Sequence, residues 1–260
     1  MKRLFKDGKA KIFVVRRQYI AAVATILAVA LIFATVNNPA IIGASATVRQ
    51  LPIYSVEREN KAVSLSFDAA WGNEDTQMLI DILAKYNVKA TFFLVGQWVD
   101  KYPESVKALA DAGHDVMNHS NDHAHFAQLS SGQIVENITA CNDKIENITG
   151  VRPTLFRAPY GEYDDNVIST VKSMGMNTIQ WDVDSLDWKD LSADEIYSRV
   201  TSKISAGSIV LFHNAALHTP EALPAIIEYI LQQGYTIVPI SELILQGDCT
   251  IDNNGRQHKA

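Results

Sequence analysis

The chain has 260 residues, 47% hydrophobic and 20% charged, which suits a folded protein with one α/β domain and a short extension. Its charge is divided: residues 1–18 hold seven bases and one acid, +6, so an overall −6 leaves −12 on everything after them. A body that acidic is a poor nucleic-acid binder, because it repels phosphate instead of displacing counterions.

Residues 19–36 form an 18-residue apolar run, interrupted only by Thr25 and Thr35. As a helix rising 1.5 Å per residue it spans roughly 27 Å, enough to cross a bilayer. All the flanking bases precede it, which predicts a basic cytoplasmic segment (1–18), a transmembrane signal-anchor (19–36) and an exported remainder. Cleavage at Ala44-Ser45-Ala46, leaving a secreted protein, is the rival reading. Residues 37–60 read as a linker. Cys141 and Cys249 could pair outside the cytoplasm, but they lie more than a hundred residues apart and read as two free thiols.

From residue 61 strands and helices alternate. Val63, Leu65 and Phe67 alternate with smaller residues, the period of a strand, and the pattern stops at Asp68. A helix is expected over 73–86. A second strand over 90–95 precedes a helix over 103–112, and a third strand covers 115–118. Ser130 and Gln133 make a capping box for a helix to about residue 147, closed by Gly150. A fourth strand (155–158), a helix (164–174) and a fifth strand (177–181) follow. Ser192 and Glu195 form a second capping box. A sixth strand (208–212) is nearly all apolar, as expected when helices cover both faces. Thr219-Pro220 opens a helix, 235–238 is a seventh strand, and a short helix ends near residue 245. Seven such repeats predict an α/β fold, a distorted (β/α)7 TIM-like barrel over 61–247, with 248–260 as a disordered tail.

Polar groups end five of these strands, and in such folds strand ends converge on one face. Asp68 ends the first; Asn118, His119 and His123 follow the third. Histidines four apart share a face on a helical turn and could bind one metal ion, with Asp122 and His125 alongside. Arg157, in RAPYG, could clamp a carboxylate by two parallel hydrogen bonds. DVDSLDW crowds acids and aromatics, a common lining for sugar pockets. His213, in LFHN, is a candidate general acid opposite Asp68 as base.

FDAAWG, NHSNDH, RAPYG, DSLDW and LFHN, in this order and spacing, resemble the five motifs of the polysaccharide deacetylases of the NodB-homology type, most like their sporulation-associated subgroup. The resemblance covers residues 60–245. It implies removal of acetyl groups from N-acetylated cell-wall or spore-cortex glycan with a divalent metal, zinc first. Asp68 then matches the base that activates water, His119 and His123 the metal ligands, and Arg157 the residue positioning the base. His213 matches the acid that protonates the leaving amine and Asp187 the carboxylate orienting it. Tyr160 matches the oxyanion-hole donor, and Trp188 and Leu211 the acetate-pocket walls. One departure matters: the family's second motif-one acid, a metal ligand, is here Ala69. The expected function is therefore a metal-dependent, membrane-anchored deacetylase. The alternative is a carbohydrate-binding relative that lost efficient metal binding.

Overall fold

The computed structural model describes residues 16–36 and 49–260, which form two separate units divided at Arg49. In the first, α1 (Arg17–Val36) starts two residues earlier than the apolar run. It is the one helix among the described residues long and apolar enough to cross a membrane, and its side chains are exposed along the described length. The basic 1–15 segment and the 37–48 part of the linker, with the Ala44-Ser45-Ala46 site, lie outside the described residues.

The second unit begins at Gln50, and its central strand is the one carrying Asp68. After β1 (Ser55–Val56), β2 (Ala62–Ala69) is buried along all eight residues, parallel to β3 (Thr91–Leu94) on one side and β8 (Ile209–His213) on the other. The sheet continues outward from β3 through β4 (Asp115–Asn118), β5 (Leu155–Phe156) and β6 (Asn177–Thr178), and outward from β8 to β7 (Val183–Asp184). β9 (Thr236–Ile237) pairs with the first two residues of β2. All these pairings are parallel. The fold is thus the distorted (β/α)7 barrel, with the expected fifth strand (177–181) shortened to β6 and an unexpected strand, β7, just after it. Those two strands lie at opposite ends of the sheet, which leaves the barrel open between them.

Alternation along the strands sorts the core into layers. Leu65, Phe67, Phe92 and Val116 face the helices, in one cluster with Leu79, Val106, Val200 and Ile226. Phe93, Met117, Ile179 and Ile209 form another. Burying each such side chain contributes about 1.5–3 kcal/mol. The helices are α2 (Thr76–Lys85), α3 (Gly96–Lys101), α4 (Pro103–Asp111), α5 (Ser131–Thr149), α6 (Asp165–Ser173), α7 (Ala193–Thr201), α8 (Thr219–Gln232) and α9 (Ile240–Leu243). Both capping boxes are present, and Gly150 takes the left-handed C-cap conformation at φ 74°.

Two boundaries differ from expectation. Residues 50–60 belong to the domain instead of the linker: Ile53 bridges to Ile179 beside β6, Ser55 bridges to Ser208 at the start of β8, and Ile53 and Val56 are buried. Residues 248–260 are not a disordered tail. β10 (Cys249–Ile251) and β11 (Arg256–Lys259) form an antiparallel hairpin, and β11 pairs with β1. Buried Gln257 exchanges side-chain hydrogen bonds with the backbone of Leu245, fastening the hairpin to the barrel. Cys141 is buried, Cys249 is partly exposed, and both are free.

Candidate active site

Strand register decides which side chains meet. Asp68 pairs across β2 with Phe93 on one side and His213 on the other, so the base and acid candidates are neighbours at one level of the sheet. One strand further, Asn118 is paired with Phe156, and the Arg157 amide donates to the Asn118 carbonyl. His119 and Arg157 therefore leave the sheet together.

Asp68 is buried, and its Oδ1 accepts from Arg157 Nη1 at 2.7 Å. Arg157 is 0% exposed: Nη2 donates to Ser66 Oγ (2.9 Å) and the Gln180 carbonyl (3.2 Å), and the guanidinium lies 4.2 Å from the Phe93 ring centre. A charge this deep is tolerated only with partners. Burial alone would push the Asp68 carboxyl up, but Arg157, with His119 and His213, outweighs it and holds the group below the usual carboxylate range. Asp68 is thus kept ionised, as a base must be.

His119 Nδ1 is 2.8 Å from the Arg157 carbonyl, which fixes the proton on Nδ1 and leaves Nε2, 3.6 Å from Asp68 Oδ2, as a bare donor atom. Burial pushes this imidazole below its ordinary pKa. His123 reaches the same place by a loop and not by a helical turn. Ser120 and His123 take left-handed φ values of 74° and 59°, the His123 amide donates to Ser120 Oγ, and the two imidazole centres stand 5.1 Å apart. Burial, reinforced by His119, pushes His123 down to about 4. Both rings are neutral at pH 7 and available as ligands.

His213 is held from behind. Asp187 accepts from His213 Nδ1 (2.8 Å), the His213 amide (2.8 Å) and Thr219 Oγ1 (2.7 Å). Burial works against charge on this imidazole, but the Asp187 hydrogen bond and charge outweigh it, so the pKa lies above its ordinary value. A histidine that keeps its proton near neutrality suits an acid.

These groups line one cavity of about 490 Å³, together with Tyr160, Trp181, Asp184, Trp188 and Leu211. Of the sequence-predicted site residues, Asp68, His119, His123, Tyr160, Trp188, Leu211 and His213 border it, while Arg157 and Asp187 are buried behind it and Asp122 and His125 do not line it. Two residues that sequence reading did not single out, Trp71 and Asn214, also serve the site, together with Asp184 from the acid- and aromatic-rich DVDSLDW stretch. Trp71 and Asp184 line the cavity. Asn214, next to His213, ties the first and last motifs together: its amide donates to the Asp68 carbonyl, Oδ1 accepts from Ala70 N, and Nδ2 donates to the carbonyls of Trp71 and Gly72. Its place in LFHN was the available signal.

The donor set falls short of a three-ligand metal centre. Asp122 is engaged with Asn137 and His125 with Glu162, so neither completes the site. Ala69 is 1% exposed within the helix-side apolar cluster, whereas Ala70 borders the cavity. Among the described residues no three His, Cys, Asp or Glu side chains are grouped to hold a metal. Two imidazoles border the cavity where a catalytic zinc needs three protein ligands.

The polysaccharide deacetylase family profile matches residues 55–179. Two Bacillus subtilis proteins, YlxY and the peptidoglycan-N-acetylmuramic acid deacetylase PdaC, are each 36% identical over 74% and 73% of this chain, which spans 60% and 40% of their lengths. A peptidoglycan-N-acetylglucosamine deacetylase of Bacillus cereus is 33% identical over 71% of this chain and 69% of its own. Among solved structures, BA3943 of Bacillus anthracis, described as a CE4 family pseudoenzyme, superposes with a TM-score of 0.71 at 39% identity, covering 74% of this chain and 68% of that one. A BA3943 mutant described as having restored enzymatic activity matches at 40% identity. With sequence, motif order and barrel in agreement over this length, the chain belongs to the polysaccharide deacetylase family.

Proposed function

We propose that this domain binds N-acetylated cell-wall or spore-cortex glycan in the cavity beside Asp68, held outside the cytoplasm by α1, and that deacetylation there is latent. The observation that carries the reading is a complete base and acid apparatus beside an incomplete metal site. Asp68–Arg157 and His213–Asp187 are in hydrogen-bonded contact, yet Ala69 supplies no ligand. Zinc bound through His119 and His123 alone is held weakly, and a metal supplies the acidified water and the polarised amide oxygen that N-acetyl hydrolysis needs. The likeness to a CE4 pseudoenzyme of which an active mutant exists supports this second of the two expected functions over a working deacetylase.

The test is zinc content, peptidoglycan retention and acetate release together, on the full chain in phospholipid nanodiscs. Expected are retention on peptidoglycan, substoichiometric zinc, and no more acetate than from Asp68→Asn. A carboxylate introduced as Ala69→Asp, or as Ala70→Asp on the cavity side, should raise zinc content and acetate release together. Zinc-dependent acetate release by the wild type that disappears in Asp68→Asn would show a working deacetylase and overturn the latent reading.

A further inference from the structure

We propose that Asp75, a residue outside the cavity, is a positioning residue for His213: it holds the turn by which β8 leaves the sheet and so keeps the imidazole seated on Asp187. The inference rests on His213 as the acid of the site and goes beyond it. Asp75 stands immediately before α2, at the N-cap position where an aspartate ordinarily accepts from the first turn of its own helix. It makes no such bond. Its Oδ2 instead accepts from the Ala215 amide at 2.9 Å, 140 residues away in the chain. Ala215 lies two residues beyond His213 and takes a left-handed φ of 54°, a conformation that strains any residue with a side chain and persists only where neighbours hold it.

The carboxyl is sequestered for this contact. Asp75 is 8% exposed, and Oδ1 is buried with no hydrogen-bond partner among the described residues. Burial outweighs the Ala215 bond and pushes the group above the usual carboxylate range. So poorly satisfied a buried acid weakens the fold, and the contact it makes is what accounts for it. That contact is half of a reciprocal clasp between the exits of β2 and β8. From the β8 side, Asn214 Nδ2 donates to the Trp71 and Gly72 carbonyls and its amide to the Asp68 carbonyl. From the β2 side, Asp75 takes the next amide. The two loops touch: a Cβ on Gly72 would stand 3.1 Å from that of Ala215. Asp187 meanwhile holds both ends of the following segment, through His213 and Thr219. Releasing Ala215 leaves that segment without its middle anchor and loosens His213 from Asp187.

The test compares Asp75→Ser and Asp75→Asn with wild type in the full chain in nanodiscs, by amide hydrogen exchange, the His213 titration midpoint and urea unfolding. Serine caps a helix in its own right but is too short to keep the Ala215 contact, so α2 keeps its start while the turn is released. Asparagine keeps an acceptor oxygen at the same reach. In Asp75→Ser the Asn214 and Ala215 amides should exchange about tenfold faster, and the His213 midpoint should fall below that of wild type. Asp75→Asn should match wild type in both. A wild-type midpoint in Asp75→Ser would overturn the proposal by leaving Asp75 a purely structural role. Failure of Asp75→Ser to fold would do the same, and a midpoint lowered equally in Asp75→Asn would assign the effect to charge instead of the bond. None of these readouts involves zinc, glycan or acetate, so the functional reading above stands or falls separately.

Discussion

Asp187→Asn tests the acid half of the site independently of whether hydrolysis occurs. The carboxylate accepts three hydrogen bonds, two from His213 and one from Thr219, and is buried. Asparagine is nearly isosteric but offers one acceptor oxygen and an NH2 group. With its oxygen kept toward the His213 amide and Thr219, the NH2 meets His213 Nδ1 and forces the neutral tautomer whose proton sits on Nε2. Hydrogen bonds to a charged acceptor contribute about 1.5–3 kcal/mol against about 1 for neutral ones, so losing charge assistance on these contacts costs about 2–3 kcal/mol.

The cost depends on pH in a defined direction. The folded His213 pKa is raised, so its contribution to stability is fully present below the unfolded value near 6.5 and fades as pH rises through the folded value. In the variant the chief raising cause is gone while burial remains, so the folded pKa falls and acid destabilises. The gap between wild type and variant should therefore be widest near pH 5 and narrowest near pH 9. Each pH unit between the two titration midpoints is worth about 1.4 kcal/mol. Urea unfolding at pH 5, 7 and 9 gives the gap, and the imidazole proton shifts of His213 give the midpoints. An equal gap at pH 5 and 9, with an unchanged His213 midpoint, would refute the argument that Asp187 holds this proton.

Arg157→Gln leaves Asp68 buried without its cation and should cost about 3–5 kcal/mol at pH 7 by urea unfolding, with Asp68→Asn in the same chain restoring part of it. Because the folded Asp68 pKa is depressed, its contribution is present above about pH 3.8 and lost as pH falls through the folded value; Arg157→Gln should remove that acid dependence. His114, buried beside Phe92 and accepting from the Ala90 amide, is pushed down to about 4 by burial. Acidification from pH 6.5 to 4 should therefore cost about 3 kcal/mol, and His114→Gln should flatten that part of the stability profile. Gly207 sits at φ 85° with its α-carbon against Val56, so that a Cβ would overlap the Val56 carbonyl oxygen. Gly207→Ala should cost more than about 1 kcal/mol and open residues 50–60 to proteolysis.

Most of the site was legible because chemistry needs particular side chains at strand ends, and strand ends show in sequence as breaks in apolar alternation. Asp68, Arg157 and His213 were readable in that way, and parallel register then placed them together. What escaped depended on partners remote in sequence. β1 and β11 are short, partly polar strands that exist because each finds the other, about two hundred residues away, and nothing in RQHK or SV alone announces pairing. β7 escaped for the same reason: Val183 and Asp184 become a strand only by pairing with Val210 and Leu211 of β8, and nothing in VD alone announces it.

Ala69 shows the limit from the other direction. Sequence registers only a missing acid; the structure adds that β2 stays in regular alternation through this residue, with Ala69 in the helix-side cluster and Ala70 at the cavity. An acid at position 69 would have to be drawn out of an apolar layer, at the expense of the β2–β3 pairing between Ala69 and Leu94. Because Ala69 is buried in that apolar cluster, Ala69→Asp should lower stability as it raises zinc affinity, and bound zinc should return the loss by mass action. A variant that gains zinc at no cost in the metal-free state would show that strand end and metal site are not in competition.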